Sequence, residues 1–229
     1  MQKKSTIRLI DCAMGRVAAD LLLENARVLN VFTGELEILD VAVAEGRIAG
    51  FGKHRAERYL DLGGSYLLPG FIDAHVHPES AMLEPGCWAE LLLPLGTTSV
   101  VADPHEIANV LGRDGIDFMT ARSRGVPLNV FLMAPSCVPA TPFETAGAEF
   151  GSAQVHELLA DPEIQGLGEM MNFPGIISGA EDAVQKVDNA ANAGIPVDGH
   201  CPGLTGRELQ AYVAAGIQTD HESIAAEEA

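Results

Sequence analysis

Residues 66–77 read Tyr-Leu-Leu-Pro-Gly-Phe-Ile-Asp-Ala-His-Val-His, an apolar run that ends in a His-X-His pair. Because side chains alternate along a strand, His75 and His77 are expected on the same face. Two imidazoles side by side at the end of a buried strand form half of a metal site, although the same pair also occurs by chance in strand-to-loop turns. The stretch therefore predicts a buried strand with a candidate ligand pair, which the later parts of the chain must support.

The composition is that of a globular protein. Of its 229 residues, 47% are hydrophobic and 20% are charged, which allows a large core and gives no sign of disorder. No apolar run approaches the ~18 residues of a membrane-spanning helix. Residues 1–4 carry positive charge, but the apolar stretch of a signal peptide does not follow them, so a cytoplasmic protein is expected.

The chain is strongly acidic. Lys and Arg number 14 against 32 Asp and Glu, a formal net charge of −18. This balance argues against nucleic acid or an anionic membrane as partner and favours a small neutral or cationic ligand. The irregular cysteine spacing predicts neither a disulfide framework nor a zinc ribbon and indicates a reducing compartment. The cysteines are Cys12, Cys87, Cys137 and Cys201.

Two domains are expected, over residues 1–65 and 66–229. The first begins with a helical lead-in over 1–19 and continues as a small β domain with strands over 21–29 and 40–51, the second interrupted by a turn at Glu45-Gly46. In the second domain a unit recurs in which a helix ends at a glycine and a strand follows. Helices are expected over 107–122 and 183–193. Six parallel strands are predicted, over residues 66–77, 98–103, 128–133, 164–171, 197–200 and 219–221.

The predicted fold class is α/β, a (β/α)8 TIM-like barrel with about six of its eight units present, preceded by the small β domain. A doubly wound open sheet is the alternative, but it would place its ligands at one crevice near a glycine-rich phosphate loop, and no such loop is present. Polar residues instead end almost every strand, as a barrel requires at its carboxyl-terminal face. These strand-end residues are His75, His77, Asp103, His105, Glu106, Ser136, Cys137, Glu169, His200 and His221.

Six motifs carry a resemblance to a known family. The segment 69–77 resembles the first-strand signature of the amidohydrolase superfamily, metal-dependent hydrolases on a distorted TIM barrel. Further motifs are similar to the adenine deaminases within that superfamily, and the similarity extends from about Ala19 to the last residue. These further motifs lie at residues 101–110, 135–141, 168–175, 198–203 and 219–222.

The resemblance implies a binuclear centre. In it, His75 and His77 hold the more buried cation, Glu169 bridges, and His200 and His221 hold the second cation. Imidazole and carboxylate donors suit Mn²⁺ or Fe²⁺, and also Zn²⁺. Many superfamily members bridge the two cations with a carbamylated lysine, but no lysine lies between residues 53 and 186, which argues against that type of site.

The resemblance also implies the reaction, hydrolytic deamination of adenine to hypoxanthine and ammonia. His105 and Glu106 are candidates for proton transfer, and Ser136 for substrate contact. Two alternatives stay open at this point. Asp103, His105 and Glu106 together form a further cation site, or Asp103 and Glu106 form a capping box at the start of a helix.

Part of the family pattern lies outside these residues. Superfamily members carry an Asp at the end of the eighth strand, and no eighth strand is present, so an N-terminal portion of a longer, homo-oligomeric enzyme is expected. Two other functions compete with the deaminase. One is an amidohydrolase of the deacetylase type that cleaves an amide bond, and the other is a metal-binding barrel without catalysis.

Overall fold

The computed structural model describes residues 2–141 and 143–228. It divides into two compact units, Met1–Pro69 and Gly70–Ala229. Among the described helices, none combines the length and apolar character needed to span a membrane.

The first unit is a helix with a mixed sheet. The sheet has the order β3-β2-β1-β4, with β5 also paired to β1. The β2–β3 hairpin turns at Glu45 and Gly46, which both have positive φ, where the sequence predicts a turn. The elements are α1 (Gln2–Ala13), β1 (Ala19–Leu29), β2 (Leu36–Ala44), β3 (Arg47–Phe51), β4 (Ala56–Asp61) and β5 (Tyr66–Leu67).

The second unit alternates strands and helices. In the described residues its sheet has five strands in the order β10-β9-β8-β7-β6, and each neighbouring pair is parallel. The elements are β6 (Phe71–Val76), α2 (Pro85–Leu92), β7 (Thr97–Ala102), α3 (His105–Leu111), α4 (Arg113–Ser123), β8 (Asn129–Ala134), α5 (Ser152–Leu159), β9 (Ile164–Met170), α6 (Phe173–Ser178), α7 (Glu181–Ala193), β10 (Val197–Gly199) and α8 (Gly206–Ala214).

Helix side chains pack on this sheet to form the main core. Ile116 of α4, Leu158 of α5 and Val187 of α7 are buried together with Leu167 of β9. In α7 the buried apolar residues are Ala183, Val187 and Ala190, whereas Ala191, which the helical spacing also predicts on this face, is exposed. Since parallel strands joined by helices all run in one direction, their carboxyl ends lie along one edge of the sheet.

Three predicted elements differ from the structure. The strand expected over 66–77 is two strands, because residues 66–67 pair with β1 in the first unit. The helix expected over 107–122 is broken between α3 and α4 at Gly112, whose φ of 60° and ψ of −139° cannot continue a helix.

The sixth strand expected at 219–221 does not form within the described residues, so the sheet has five parallel strands there rather than six. The segment 217–221 runs beside β10 and donates one main-chain hydrogen bond, from Gln218 to Val197 (3.2 Å). Side-chain hydrogen bonds form in place of further main-chain bonds. Asp198 accepts a hydrogen bond from the hydroxyl of Thr219 (2.5 Å), and Asp220 accepts one from the amide of Cys201 (2.9 Å).

Candidate metal centre

Five imidazoles and one buried carboxylate converge at the carboxyl-terminal edge of the parallel sheet. Five of the six lie at or just beyond the ends of adjacent parallel strands, and His221 lies in the segment that runs beside β10. The carboxylate of Glu169 lies at the centre, and its side chain is 3% exposed. The group consists of His75, His77, His105, Glu169, His200 and His221.

One oxygen of Glu169 faces three of the imidazoles. Glu169 Oε2 lies 2.7 Å from Nδ1 of His200, 3.1 Å from Nε2 of His221 and 3.9 Å from Nε2 of His75. The rings of His75 and His221 are stacked, with centroids 3.6 Å apart and an interplanar angle of 15°. The first strand and the segment beyond β10 therefore contribute to the same side of the centre.

The other oxygen faces the remaining two imidazoles. Glu169 Oε1 lies 3.2 Å from Nδ1 of His105 and 3.4 Å from Nε2 of His77. A carboxylate with nitrogen donors at both oxygens has the arrangement of a bridge between two cations. The geometry therefore favours the bridging position of Glu169, and it adds His105 to the imidazoles that face the carboxylate.

The two histidines of the His-X-His pair are oriented by partners at their other ring nitrogens. His75 Nδ1 lies 2.7 Å from Asp198 Oδ2, and His77 Nδ1 lies 2.9 Å from the main-chain oxygen of Asp103. An Nδ1–H that donates to oxygen leaves the lone pair on Nε2. The two Nε2 atoms are 3.2 Å apart, so both lone pairs are directed to one place.

The electrostatics of the centre keep Glu169 ionised. Burial alone would raise its pKa, but the close approach and charge of His105 and the charges of His200 and His75 lower the pKa from 4.5 to about 2. Burial alone would likewise lower the pKa of His105, but Asp103 and Glu169 raise it to about 10. The centre thus combines a fixed negative charge with a ring of nitrogen donors.

These donors fit divalent cations. Among the described residues, three groups of side chains could each hold a cation, because the ligand atoms within each group lie within 4.8 Å of one another. Neutral imidazole with carboxylate suits Mn²⁺, Fe²⁺ and Zn²⁺, and the lone pairs of His75 and His77 are already directed inward. The groups are His75, Glu169 and His221; His77, His105 and Glu169; and His200, His221 and Glu222.

The capping-box alternative for Asp103 and Glu106 is wrong. Helix α3 has Pro104 at its N-cap position, and no side chain caps it. Asp103 is instead buried, and its Oδ2 accepts a hydrogen bond from the amide of Glu169 (2.9 Å). This long-range bond holds the end of β9 against the loop after β7.

The structure places the two proton-transfer candidates differently. His105 lies in the centre, with its Nδ1 buried and without a hydrogen-bond partner of good geometry in the described residues. Glu106 accepts a hydrogen bond from Ser80 (2.6 Å), and within the described part of the chain no histidine nitrogen forms an ion pair with it. His105 is therefore the stronger candidate on geometry.

The expected substrate contact of Ser136 is not supported by its position. Ser136 is 1% exposed, and its hydroxyl donates to the main-chain oxygen of Glu169. A hydroxyl engaged in this way is not presented to a ligand. Ser136 instead fixes the backbone that carries the central carboxylate.

Two residues that contact the centre were missed in the sequence. Asp198 lies two positions before His200, so strand alternation could have placed both on one face. Tyr212 of α8 donates its hydroxyl to the main-chain oxygen of Met170 (2.8 Å) and accepts from the amide of His200 (3.0 Å). No sequence signal distinguishes Tyr212 from an ordinary core aromatic residue.

Replacing Tyr212 with Phe is expected to lower the free energy of unfolding of the metal-free protein by about 1–3 kcal/mol, because a buried N–H and a buried carbonyl lose their partner. Chemical denaturation measures this change. The matched control is Tyr66→Phe, at an exposed ring, for which we expect little change. Equal stability of Tyr212→Phe and the parent protein would contradict the bridging role of the hydroxyl.

Comparison with known proteins identifies the family. Residues 66–228 match the model of the amidohydrolase family, and the chain belongs to that family. The family resemblance predicted from the motifs is therefore confirmed. The chain is also similar to a solved N-acetyl-D-glucosamine-6-phosphate deacetylase from Mycobacterium smegmatis, with a TM-score of 0.58 and 18% identity over 87% of this chain and 59% of that one. The fold is accordingly a partial TIM barrel of the amidohydrolase type.

Curated relatives are more similar in sequence. An adenine deaminase from Dehalococcoides mccartyi is 51% identical over 223 residues, which are 97% of this chain and 39% of that protein. An adenine deaminase from Nitratidesulfovibrio vulgaris is 50% identical over 220 residues, 96% of this chain and 38% of that protein. The chain thus spans less than half the length of these relatives.

Proposed function

We propose that the protein containing this chain hydrolyses adenine to hypoxanthine and ammonia at the centre around Glu169. The observation that carries the proposal is the buried carboxylate with imidazole nitrogens at both oxygens. The names of the relatives, at about 50% identity over nearly the whole chain, supply the substrate. In this proposal His75, His77, Glu169, His200 and His221 hold a binuclear Mn²⁺ or Fe²⁺ centre, which Zn²⁺ also fits.

Divalent cations held there would acidify a water molecule and supply a nucleophile at neutral pH. The protein's own residues hold the cations and fix the position of the carboxylate. Glu169 contributes the negative charge that holds the cations, and its low pKa keeps it ionised throughout the physiological range. The amide of Glu169 is anchored by Asp103 and its carbonyl by Ser136, so the carboxylate is held from both sides of its own backbone.

Proton transfer is assigned to His105. Deamination requires protonation of the purine ring and of the departing amine. The Nδ1 of His75 and of His77 is engaged with a fixed oxygen, whereas His105 directs its Nδ1 at Glu169 without a hydrogen bond of good geometry. Glu106 is the second candidate. Ser80 donates its hydrogen bond to Oε1 of Glu106, so this bond does not engage the other carboxylate oxygen, Oε2.

The protein at its natural length provides the test. Ammonia release is measured with adenine, adenosine and guanine, before and after chelation and after addition of Mn²⁺ or Fe²⁺. We expect hydrolysis of adenine alone, loss of activity with the metal and recovery on its return. The variant His200→Asn is expected to be inactive, whereas His156→Asn, at an exposed position on α5, is the matched control. Undiminished activity without metal, or preference for another substrate, would contradict the proposal.

We also propose a cytoplasmic, homo-oligomeric enzyme of purine salvage. The location rests on the four cysteines, whose irregular spacing predicts no disulfide framework and which are free thiols. Size-exclusion chromatography with light scattering measures the oligomeric state.

A further inference from the structure

Asp198 is a buried carboxylate directly behind the metal centre. It lies in β10, and its side chain is 11% exposed. Its Oδ2 lies 2.7 Å from Nδ1 of His75 and 3.7 Å from Nδ1 of His221. The Nε2 atoms of the same two rings face Glu169 Oε2, at 3.9 Å and 3.1 Å. The stacked pair of imidazoles is thus held between two carboxylates.

The two oxygens of Asp198 have separate partners. Oδ1 accepts hydrogen bonds from the hydroxyl of Thr219 (2.5 Å), which ties the segment 217–221 to β10, and from the neighbouring amide of Gly199 (2.9 Å). Oδ2 faces the imidazoles. A purely structural contribution, through Thr219, can therefore be separated from a contribution to the ligands.

We propose that Asp198 is a positioning residue that directs the Nε2 lone pair of His75 toward the cation beside Glu169 Oε2, and that the stacked ring of His221 takes its orientation from His75. The inference rests on the proposed metal centre. An imidazole that donates its Nδ1–H to a carboxylate keeps its lone pair on Nε2, and the carboxylate also fixes the ring plane. Among the described residues no hydrogen bond joins Asp198 to His221, whose Nδ1 lies 3.7 Å from Oδ2, but the ring of His221 stacks on that of His75, so Asp198 acts on the ligand beyond β10 through His75.

The stacking of the two rings extends this assignment from His75 to His221. The hydrogen bond with Asp198 fixes one ring of the stack, and the second ring lies parallel at van der Waals distance. Both rings therefore present the same edge to Asp198 and the opposite edge to Glu169. A neutral amide at position 198 can donate as well as accept, so Asn does not specify which ring nitrogen carries the hydrogen.

Binding of Co²⁺ to the metal-free protein at its natural length tests the inference. Co²⁺ is titrated into the parent protein and into Asp198→Asn and Thr219→Val, and binding is followed by its visible absorption bands. We expect about 10–100-fold weaker binding in Asp198→Asn, the usual effect of removing the carboxylate partner of a ligating histidine, together with altered bands. Thr219→Val removes the bond to Oδ1 and is expected to retain the affinity and the bands of the parent.

Each alternative outcome contradicts the inference. Unchanged binding in Asp198→Asn would show that the carboxylate does not direct the ligands, and equal weakening in Thr219→Val would show that it acts by tying down the segment. Asp198→Ser replaces Asp198→Asn in the titration if Asp198→Asn does not fold, and failure of both variants to fold would show that Asp198 acts only in folding.

Adenine is absent from the experiment, so an error in the proposed substrate does not affect this result. Absence of Co²⁺ binding by the parent protein would instead reject the metal centre itself.

Discussion

In the protein at its natural length, replacing Glu169 with Gln is expected to abolish cation binding and to reduce the proposed adenine deamination by at least about 100-fold. Gln keeps nearly the same volume but not the negative charge, and one of the two oxygens becomes an NH₂ group that cannot accept a cation. The five imidazoles around it then lack the anion they face at both oxygens. Metal content of the purified variant and its ammonia release from adenine measure the effect.

The matched control is Glu163→Gln. Glu163 is partly exposed and forms a surface ion pair with Arg124, so loss of its charge is expected to change neither metal content nor activity. Circular dichroism establishes that Glu169→Gln retains the fold. A folded Glu169→Gln variant with normal metal content and full activity would exclude Glu169 as the bridging ligand.

Replacing Gly199 with Ala is expected to displace His221 from the centre. A Cβ at position 199 would lie 2.2 Å from the main-chain oxygen of Thr219 and 2.9 Å from Cγ2 of Ile217. A backbone carbonyl cannot yield as a flexible side chain can, so the segment 217–221 must move away from β10. We expect about 1–3 kcal/mol lower stability, the usual effect of overpacking, and loss of cation binding at the side of Glu169 Oε2.

A second glycine provides the control for Gly199→Ala. Gly86 lies in α2, and apart from the adjacent residues and the backbone of the helix itself no atom lies within 4 Å of the point that a Cβ would occupy there. Gly86→Ala is therefore expected to leave metal content unchanged and to stabilise the helix by up to about 1 kcal/mol. Denaturation curves and metal analysis of both variants measure the difference. Normal metal content in Gly199→Ala would mean that the segment carrying His221 does not depend on its close approach to β10.

Much of this arrangement could be predicted from local patterns. The alternation of side chains predicts that His75 and His77 share a face, and the glycine after α7, Gly194, has the positive φ expected of a helix end that turns into a strand. The carboxyl ends of adjacent parallel strands lie along one edge of the sheet. The His and Glu residues at those ends therefore indicate a metal centre from the sequence alone.

Other features depend on contacts that no local pattern reveals. The hydrogen bond between His75 and Asp198 joins residues 123 positions apart, and the bond from Tyr212 to Met170 spans 42. The sixth predicted strand, at 219–221, does not form main-chain pairs with β10 in the described part of the chain. Thr219 instead approaches Gly199 closely, and side-chain hydrogen bonds of Asp198 and Asp220 hold the segment beside β10.

The amino-acid sequence by itself determined which residue types stand at the ends of the barrel strands, because strand periodicity and chain order are local properties. The tertiary structure decided which nitrogen of each imidazole faces Glu169. That choice depends on the partner at the other ring nitrogen, Asp198 for His75 and the carbonyl of Asp103 for His77. Those partners come from other strands, and folding alone brings them within hydrogen-bond distance.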